Sequence, residues 1–206
     1  MKSISYDYIN IGEQQDNAFI FIHGWQGNKD SFKSISKLLS VNNYRFYFPE
    51  GPYLVSDNEK KRSWAIQLGN NKWDTDLSRS LFLDFLEKVV FKKFQPENVY
   101  IMGFSQGAAV CFNFILSLKY KFGGIFPVAG FSKINNIEIH LNQYNTPILI
   151  GHGKDDDVID VGESEKVYKQ INRVCNNVEL HIFNGKHKIG LSYLNKVKNF
   201  LSIKNN

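Results

Sequence analysis

One pentapeptide contains the residue types that surround a nucleophilic serine in hydrolytic chemistry. Residues 103–107 read GFSQG and match the pattern G-x-S-x-G, in which a serine hydroxyl is lifted above a sharp turn. An apolar run, Val99–Met102, precedes the pattern, and a run with helical periodicity, Gln106–Leu118, follows the serine. We therefore predict a strand, a turn and a helix. In that setting Ser105 is expected to attack an acyl carbonyl carbon. The alternative is a turn in which Ser105 only caps the helix.

A serine hydroxyl is a weak nucleophile and needs a base, which in turn needs an orienting carboxylate. In the strand–turn–helix setting, the acid and then the histidine follow the serine along the chain. His187 follows a predicted strand, Val178–Phe183, after a short loop that contains Gly185, and it is the predicted base. The other four histidines are His23, His140, His152 and His181. Each is excluded as the base by its order in the chain relative to the serine and the acid, or by its position relative to the predicted strands.

The orienting acid is expected just after another predicted strand. Pro147–Ile150 is followed by a loop that contains Asp155, Asp156 and Asp157. Surface turns are commonly rich in aspartate, so two of the three are expected to face solvent. Spacing alone does not choose among them.

Backbone N–H groups are needed to stabilise the oxyanion that forms during acyl transfer. One donor is predicted at Gln106, directly after the nucleophile, and a second in the loop after an early strand. That strand, Ala18–Ile22, is followed by the Gly-rich sequence HGWQGN at residues 23–28. Its glycines allow a tight turn that presents N–H groups toward Ser105.

The elements that position these residues alternate between strands and helices. Such alternation predicts a mainly parallel sheet covered by helices on both faces, with ligands outside the carboxyl ends of the strands. The remaining predicted strands are Arg45–Phe48, Gly124–Val128 and an added antiparallel strand at Ile4–Ile9. The remaining predicted helices are Ser31–Leu39, Asp76–Phe91, Gly162–Val174 and Leu191–Leu201.

Composition predicts one globular domain over residues 1–206, with 43% hydrophobic and 22% charged residues. The formal net charge of +5 is spread over scattered lysines, so no nucleic-acid surface is indicated. Two cysteines without metal-ligand spacing predict a reducing compartment, and we expect a cytoplasmic protein. No signal peptide or apolar run of spanning length is visible, and a peripheral lipid contact stays open.

The quoted residues resemble the phospholipase/carboxylesterase group of α/β-hydrolases, which includes acyl-protein thioesterases. The resemblance extends from about Ala18 to Leu201, and GFSQGA at residues 103–108 is its most specific motif. Weaker matches are HGW at residues 23–25, FPEGP at 48–52, RSW at 62–64 and GHGKDDDVI at 151–159. The chain departs from the group's pattern at Gln26, where glycine is usual, and at Asp160, where proline is usual.

The resemblance implies an α/β-hydrolase fold without a separate cap domain and a triad of Ser105, Asp156 and His187. It also implies an oxyanion hole formed by the N–H groups of Trp25 and Gln106. No metal or organic cofactor is expected. The implied activity is hydrolysis of carboxylic esters with short to medium acyl chains through an acyl-enzyme.

Three alternatives to this activity stay open, namely an acyl-protein thioesterase, a lysophospholipase and a non-catalytic binding protein with the same fold. The expected partner is a small acyl ester or thioester, and the protein is expected to be a monomer or homodimer. The predicted substrate-binding residues are Trp64, Trp73 and Phe131, because aromatic walls bind an acyl chain by removing its surface from water.

Overall fold

The computed structural model describes residues 3–39, 41–56, 58–69 and 73–204. The strands assigned within these ranges are β1 Tyr6–Ile11, β2 Asn17–Ile22, β3 Tyr44–Pro49, β4 Tyr53–Val55, β5 Asn58–Ser63, β6 Ile66–Gln67, β7 Trp73–Asp74, β8 Val99–Phe104, β9 Gly124–Val128, β10 Ile148–Gly153 and β11 Val178–Phe183. The α-helices are α1 Lys33–Leu39, α2 Asp76–Phe85, α3 Gln106–Asn113, α4 Val161–Ile171 and α5 Leu191–Lys204.

The main sheet has the strand order β1-β3-β2-β8-β9-β10-β11. Strand β1 pairs antiparallel with β3, and the neighbouring pairs from β3 to β11 are parallel. The predicted mainly parallel sheet, with an antiparallel strand added at its edge, is confirmed. Because β3, β2 and β8–β11 run in one direction, the loops that follow them lie along the same edge of the sheet.

Each face of the sheet is covered by its own apolar cluster, because successive side chains of a strand point to opposite faces. In β2, Ala18, Ile20 and Ile22 pack into the cluster that receives α2, α3 and α4. Phe19 and Phe21 pack into the opposite cluster, which receives α1 and α5. Strand β2 is buried along its whole length, which explains the unbroken apolar run from Ala18 to Ile22.

Two predicted helices change geometry before their predicted ends. Helix α2 stops being α-helical at Phe85 and continues as a π-helix over Leu86–Val90, in which the N–H of Phe91 donates to the carbonyl of Leu86 at 2.8 Å. Helix α3 ends at Asn113, because Phe114 leaves the helical region with φ −137°, and a 3₁₀ turn follows at Ile115–Ser117. The α-helical predictions were therefore too long at these two ends.

Two short antiparallel hairpins, β4–β5 and β6–β7, stand between β3 and α2 and were not predicted. Tyr53 pairs with Ser63 in the first and Ile66 with Asp74 in the second. They leave no separate cap domain among the described residues. None of the helices described is both long and apolar enough to span a bilayer.

Candidate active site

Ser105 occupies the turn between β8 and α3 in a backbone conformation that a non-glycine residue seldom adopts. Its φ is 54° and its ψ is −113°. Such a residue costs on the order of 1–3 kcal/mol and persists only where its surroundings hold it in place. Here the N–H of Ser105 donates to the carbonyl of Val128 at 2.9 Å, and its own carbonyl accepts from the N–H of Ala109 at 3.0 Å.

The two glycines of the pentapeptide are required by close backbone contacts. A Cβ atom on Gly103 would lie 2.2 Å from the carbonyl oxygen of Gly107. A Cβ atom on Gly107 would lie 2.1 Å from the carbonyl oxygen of Ile22, at the end of β2. Helix α3 can therefore start directly against β2 and β8 only if both positions lack a side chain.

His187 and Asp156 are brought together by the loops after β11 and β10. The Nδ1 atom of His187 lies 2.8 Å from Oδ2 of Asp156. The other carboxylate oxygen, Oδ1, accepts hydrogen bonds from the N–H groups of Val158 and Ile159, both at 2.9 Å. Burial would raise the pKa of Asp156, but the bonds from Ile159, His187 and Val158 outweigh it and hold that pKa below its usual value.

The other two aspartates of this loop lie elsewhere. Asp157 is exposed and pairs with Lys186 at 2.8 Å, which lowers the pKa of the carboxyl group. Asp155 is also exposed, whereas the carboxylate of Asp156 is fully buried. Asp156 is thus the member of the group whose side chain contacts His187.

The imidazole of His187 packs beside the nucleophile turn. Its ring centroid lies 4.8 Å from that of Phe104, the residue before Ser105. The side chain keeps 17% of its surface exposed, so the site is open to solvent. The structure therefore places the predicted base, the predicted acid and the turn that carries Ser105 at one edge of the sheet.

His152 also reaches the acid, although the sequence argument set it aside. It is completely buried at the end of β10, and its Nε2 lies 3.0 Å from the carbonyl oxygen of Ile159 and 3.2 Å from Oδ2 of Asp156. Because two acceptors face Nε2, that nitrogen carries the proton. Nδ1 lies 2.7 Å from the hydroxyl of Ser164, which is therefore its donor. A signal was present in the sequence, since His152 stands four residues before Asp156.

The loop after β2 lies against the nucleophile. A Cβ atom on Gly24 would lie 3.4 Å from Cβ of Ser105. The turn is closed by a 3.0 Å hydrogen bond from the N–H of Gly27 to the carbonyl of Gly24. Gln26 has φ 62° and so adopts the left-handed conformation that glycine takes most easily, which explains why the turn forms without the usual glycine. In the described part of the chain, no acceptor binds the N–H of Trp25.

His23 holds the loop after β2 in place through hydrogen bonds of its imidazole ring. Its Nε2 accepts from the N–H of Gly51 at 2.9 Å, so the proton resides on Nδ1, which donates to the carbonyl of Gly24 at 2.7 Å. Burial lowers the pKa of His23 to about 4, so the ring is neutral near pH 7. The Nε1–H of Trp64 donates to the carbonyl of His23 at 2.9 Å.

Gln106 contributes both its backbone and its side chain to the site. It is the first residue of α3, so its N–H has no partner within the helix. Its Oε1 accepts from the N–H of Trp64 at 3.0 Å, and its Nε2 donates to Oγ of Ser63 at 2.9 Å. These bonds tie the end of β5 to the nucleophile turn.

A cavity of about 290 Å³ opens beside Gln106 and contains the three predicted substrate-binding residues, Trp64, Trp73 and Phe131, in its wall. Trp64 is 1% exposed and also supports the loop after β2, whereas Trp73 is 41% exposed at the rim. Over the described ranges, no group of three or more His, Cys, Asp or Glu side chains could hold a metal ion.

Comparison with known proteins yields matches over nearly the whole chain. Residues 8–205 match the family model described as phospholipase/carboxylesterase. Acyl-protein thioesterase 1 of Saccharomyces cerevisiae is 30% identical over 192 residues, which cover 82% of this chain and 83% of that protein. Acyl-protein thioesterase 1 of Candida albicans is 29% identical over 185 residues, covering 78% and 80%.

Solved structures share the fold at lower identity. Esterase PE8 superposes with a TM-score of 0.80 and 20% identity, covering 98% of this chain and 99% of that one. The carboxylesterase of Bacillus cereus superposes with a TM-score of 0.78 and 16% identity, covering 97% and 94%. The α/β-hydrolase prediction is confirmed by these superpositions and by the sheet.

Proposed function

The chain belongs to the phospholipase/carboxylesterase family and is a hydrolase, and we propose that it cleaves carboxylic esters with Ser105 as nucleophile, His187 as base and Asp156 as orienting acid. The observation that carries this assignment is the 2.8 Å contact between His187 and Asp156, directly beside the strained turn of Ser105. An imidazole held by a buried carboxylate is suited to taking the proton of a serine hydroxyl.

The proposed reaction has two halves. In the first, Oγ of Ser105 bonds to the acyl carbon while its proton passes to Nε2 of His187, the nitrogen that does not face Asp156. The tetrahedral intermediate collapses, the bond to the leaving alcohol breaks, and His187 returns the proton to the leaving oxygen. In the second half, water gives a proton to His187 and attacks the acyl-enzyme, and Ser105 departs with that proton restored.

The negative charge of both tetrahedral intermediates needs fixed donors. We assign this role to the N–H groups of Trp25 and Gln106. The contact between Gly24 and Ser105 brings the first loop to the nucleophile, and the start of α3 supplies the second donor together with the positive end of the helix. Loss of one such donor typically costs about 3 kcal/mol of transition-state stabilisation.

Trp64, Trp73 and Phe131 are proposed to bind the acyl chain, because they line the cavity that begins beside Gln106. Each methylene that enters the cavity contributes about 0.8 kcal/mol. A volume of about 290 Å³ suits short to medium acyl chains.

A thioester substrate is the second candidate, because the curated relatives are named acyl-protein thioesterases. The same groups serve, since sulfur replaces oxygen only as the leaving atom. Rates on matched oxygen esters, thioesters and lysophospholipids with the same acyl chain distinguish the candidates by their kcat/KM values.

The decisive experiment replaces Ser105 by alanine. We expect Ser105→Ala to lose at least about 10³-fold in hydrolysis of 4-nitrophenyl butyrate, and also to lose labelling by a fluorophosphonate probe. Ser202→Ala, which changes an exposed serine on α5, is the matched control and should keep both. If Ser105→Ala folds normally by circular dichroism and still hydrolyses the ester, the assignment is wrong.

We also propose a cytoplasmic location, supported by two cysteines that are buried and unpaired, Cys111 and Cys175. Immunodetection in cell fractions tests it. Recovery of the protein from a secreted fraction would contradict it.

A further inference from the structure

The cavity follows one face of helix α3. Gln106, Ala109, Val110 and Asn113 all line it, and their spacing of three, one and three residues places them on the same side of the helix. Seven residues advance about 10 Å along an α-helix. The cavity therefore leads away from the nucleophile turn over about 10 Å, and Phe114 lies at its far end.

Both charged residues in the lining are cations. Among the residues that the structure describes, these are Arg79, on α2, and Lys133, in the loop after β9, and no Asp or Glu of those ranges lines the cavity. The guanidinium of Arg79 lies 5.1 Å from the ring centroid of Phe114, and Nζ of Lys133 lies 5.0 Å from that of Trp73. The rings hold each cation beside the apolar wall.

These cations have donors available for a ligand. Within the described part of the chain, the Arg79 and Lys133 side chains form neither an ion pair nor a hydrogen bond. Lys186, beside His187, is by contrast paired with Asp157 at 2.8 Å. Gln106, which follows the nucleophile and lines the cavity, is already bonded to Ser63 and Trp64.

Arg79 lies on Phe114 at the far end of the passage, and Ser132, the residue before Lys133, donates to Oδ1 of Asn113 at 2.7 Å, which brings Lys133 toward the same end. A passage of this kind is complementary to a chain that is apolar along its length and anionic at its end. A carboxylate there would gain charge-assisted hydrogen bonds from guanidinium and ammonium groups. A neutral chain of the same length would gain only the apolar contact. The difference between these two binding free energies would make the enzyme prefer acidic chains, and it does not involve the catalytic groups.

We propose that this enzyme selects esters whose acyl chain carries a terminal carboxylate, which Arg79 and Lys133 bind. The inference rests on the proposed esterase function and adds the substrate class to it. An extended chain advances about 1.2 Å per bond, so a span of about 10 Å corresponds to roughly eight bonds. The preferred substrate is therefore a monoester of a dicarboxylic acid with about eight carbons.

The test compares two series of 4-nitrophenyl esters. One series contains the monoesters of dicarboxylic acids with four, six, eight and ten carbons, and the other contains neutral esters of equal length. The readout is the ratio of kcat/KM for the acidic ester to that for its neutral partner, because this ratio is independent of the fraction of folded enzyme. We expect the ratio to be highest near eight carbons and to fall with added salt.

Arg79→Gln and Lys133→Gln should each lower the ratio at eight carbons by roughly tenfold, which is typical of one lost charged hydrogen bond. Lys92→Gln, which changes an exposed lysine outside the cavity lining, should leave the ratio unchanged. A ratio that is insensitive to both cavity variants would overturn the proposal while the neutral esters still report an active esterase. Failure to hydrolyse either series would instead refute the esterase function itself.

Discussion

The carboxylate of Asp156 is constrained at both of its oxygens. Oδ1 receives two backbone N–H groups, from Val158 and Ile159, while Oδ2 faces His187 at 2.8 Å and His152 at 3.2 Å. A carboxylate bound in this way cannot rotate without losing these bonds, which is costly because the carboxylate itself is buried. The loop after β10 therefore fixes the carboxylate that orients His187, the proposed base.

We expect His152 to act as a positioning residue through Asp156. His152→Asn removes the Nε2–H, which bonds to the carbonyl of Ile159 and lies 3.2 Å from Oδ2 of Asp156, whereas His152→Gln can place an amide N–H close to the same point. The Asn variant should lose roughly tenfold in kcat, with a smaller change in KM, and the Gln variant should lose less. Steady-state kinetics on 4-nitrophenyl butyrate gives both parameters.

The titration of Asp156 separates positioning from a merely structural role. Contacts with N–H groups hold the pKa of Asp156 below its usual value, so losing the Nε2–H that lies 3.2 Å from Oδ2 should raise that pKa. The carboxyl carbon of Asp156, followed by carbon NMR, should therefore titrate at higher pH in His152→Asn than in the wild type. A titration that keeps the wild-type midpoint would show that His152 does not act on Asp156.

At the scale of elements, the nucleophile turn depends on how closely α3 approaches β2. Gly107→Ala places a Cβ atom 2.1 Å from the carbonyl oxygen of Ile22, and backbone on both sides resists movement. We expect a loss of about 3 kcal/mol in the free energy of unfolding, measured by urea denaturation.

Gly24→Ala is the matched comparison, since its nearest contacts would be ordinary to slightly tight, at 3.3–3.4 Å. We expect it to cost about 1 kcal/mol or less. Equal losses in the two variants would mean that the close approach of α3 to β2 does not limit stability.

The elements that were predicted well are those whose residues are mostly buried and therefore mostly apolar. Strand β2 and the β8–α3 turn were recognisable because an unbroken apolar run and a glycine-flanked serine each have one common structural meaning. Hairpins β4–β5 and β6–β7 were missed because their short, largely polar strands show no strong period.

Within the site, the sequence could indicate the acid loop but could not choose the acid from spacing. Asp155, Asp156 and Asp157 are chemically identical, so it was the family resemblance that pointed to Asp156, and the fold shows that its carboxylate meets the N–H groups of Val158 and Ile159. His152 was missed because chain order tests a histidine only as the base. It says nothing about a histidine that contacts the acid.

At the scale of the whole molecule, the sheet divides the core into two clusters, and both cysteines lie in the same one. Cys111, on α3, and Cys175, just after α4, are both buried in the cluster that covers the α2, α3 and α4 face. Burial raises the pKa of Cys175 to about 11 and raises that of Cys111 as well. Both thiols are thus removed from solvent and held in their unreactive form.

Thiol labelling should consequently report opening of the whole domain. If that face opens only with global unfolding, a stability of at least 5 kcal/mol slows labelling by roughly 10³-fold or more relative to an exposed thiol. Ser202→Cys, on the exposed end of α5, supplies the exposed reference in the same molecule. Both native cysteines should react at similar slow rates that rise together with urea. Rapid labelling of Cys175 alone, detected by mass spectrometry, would show instead that the end of α4 opens independently of the sheet.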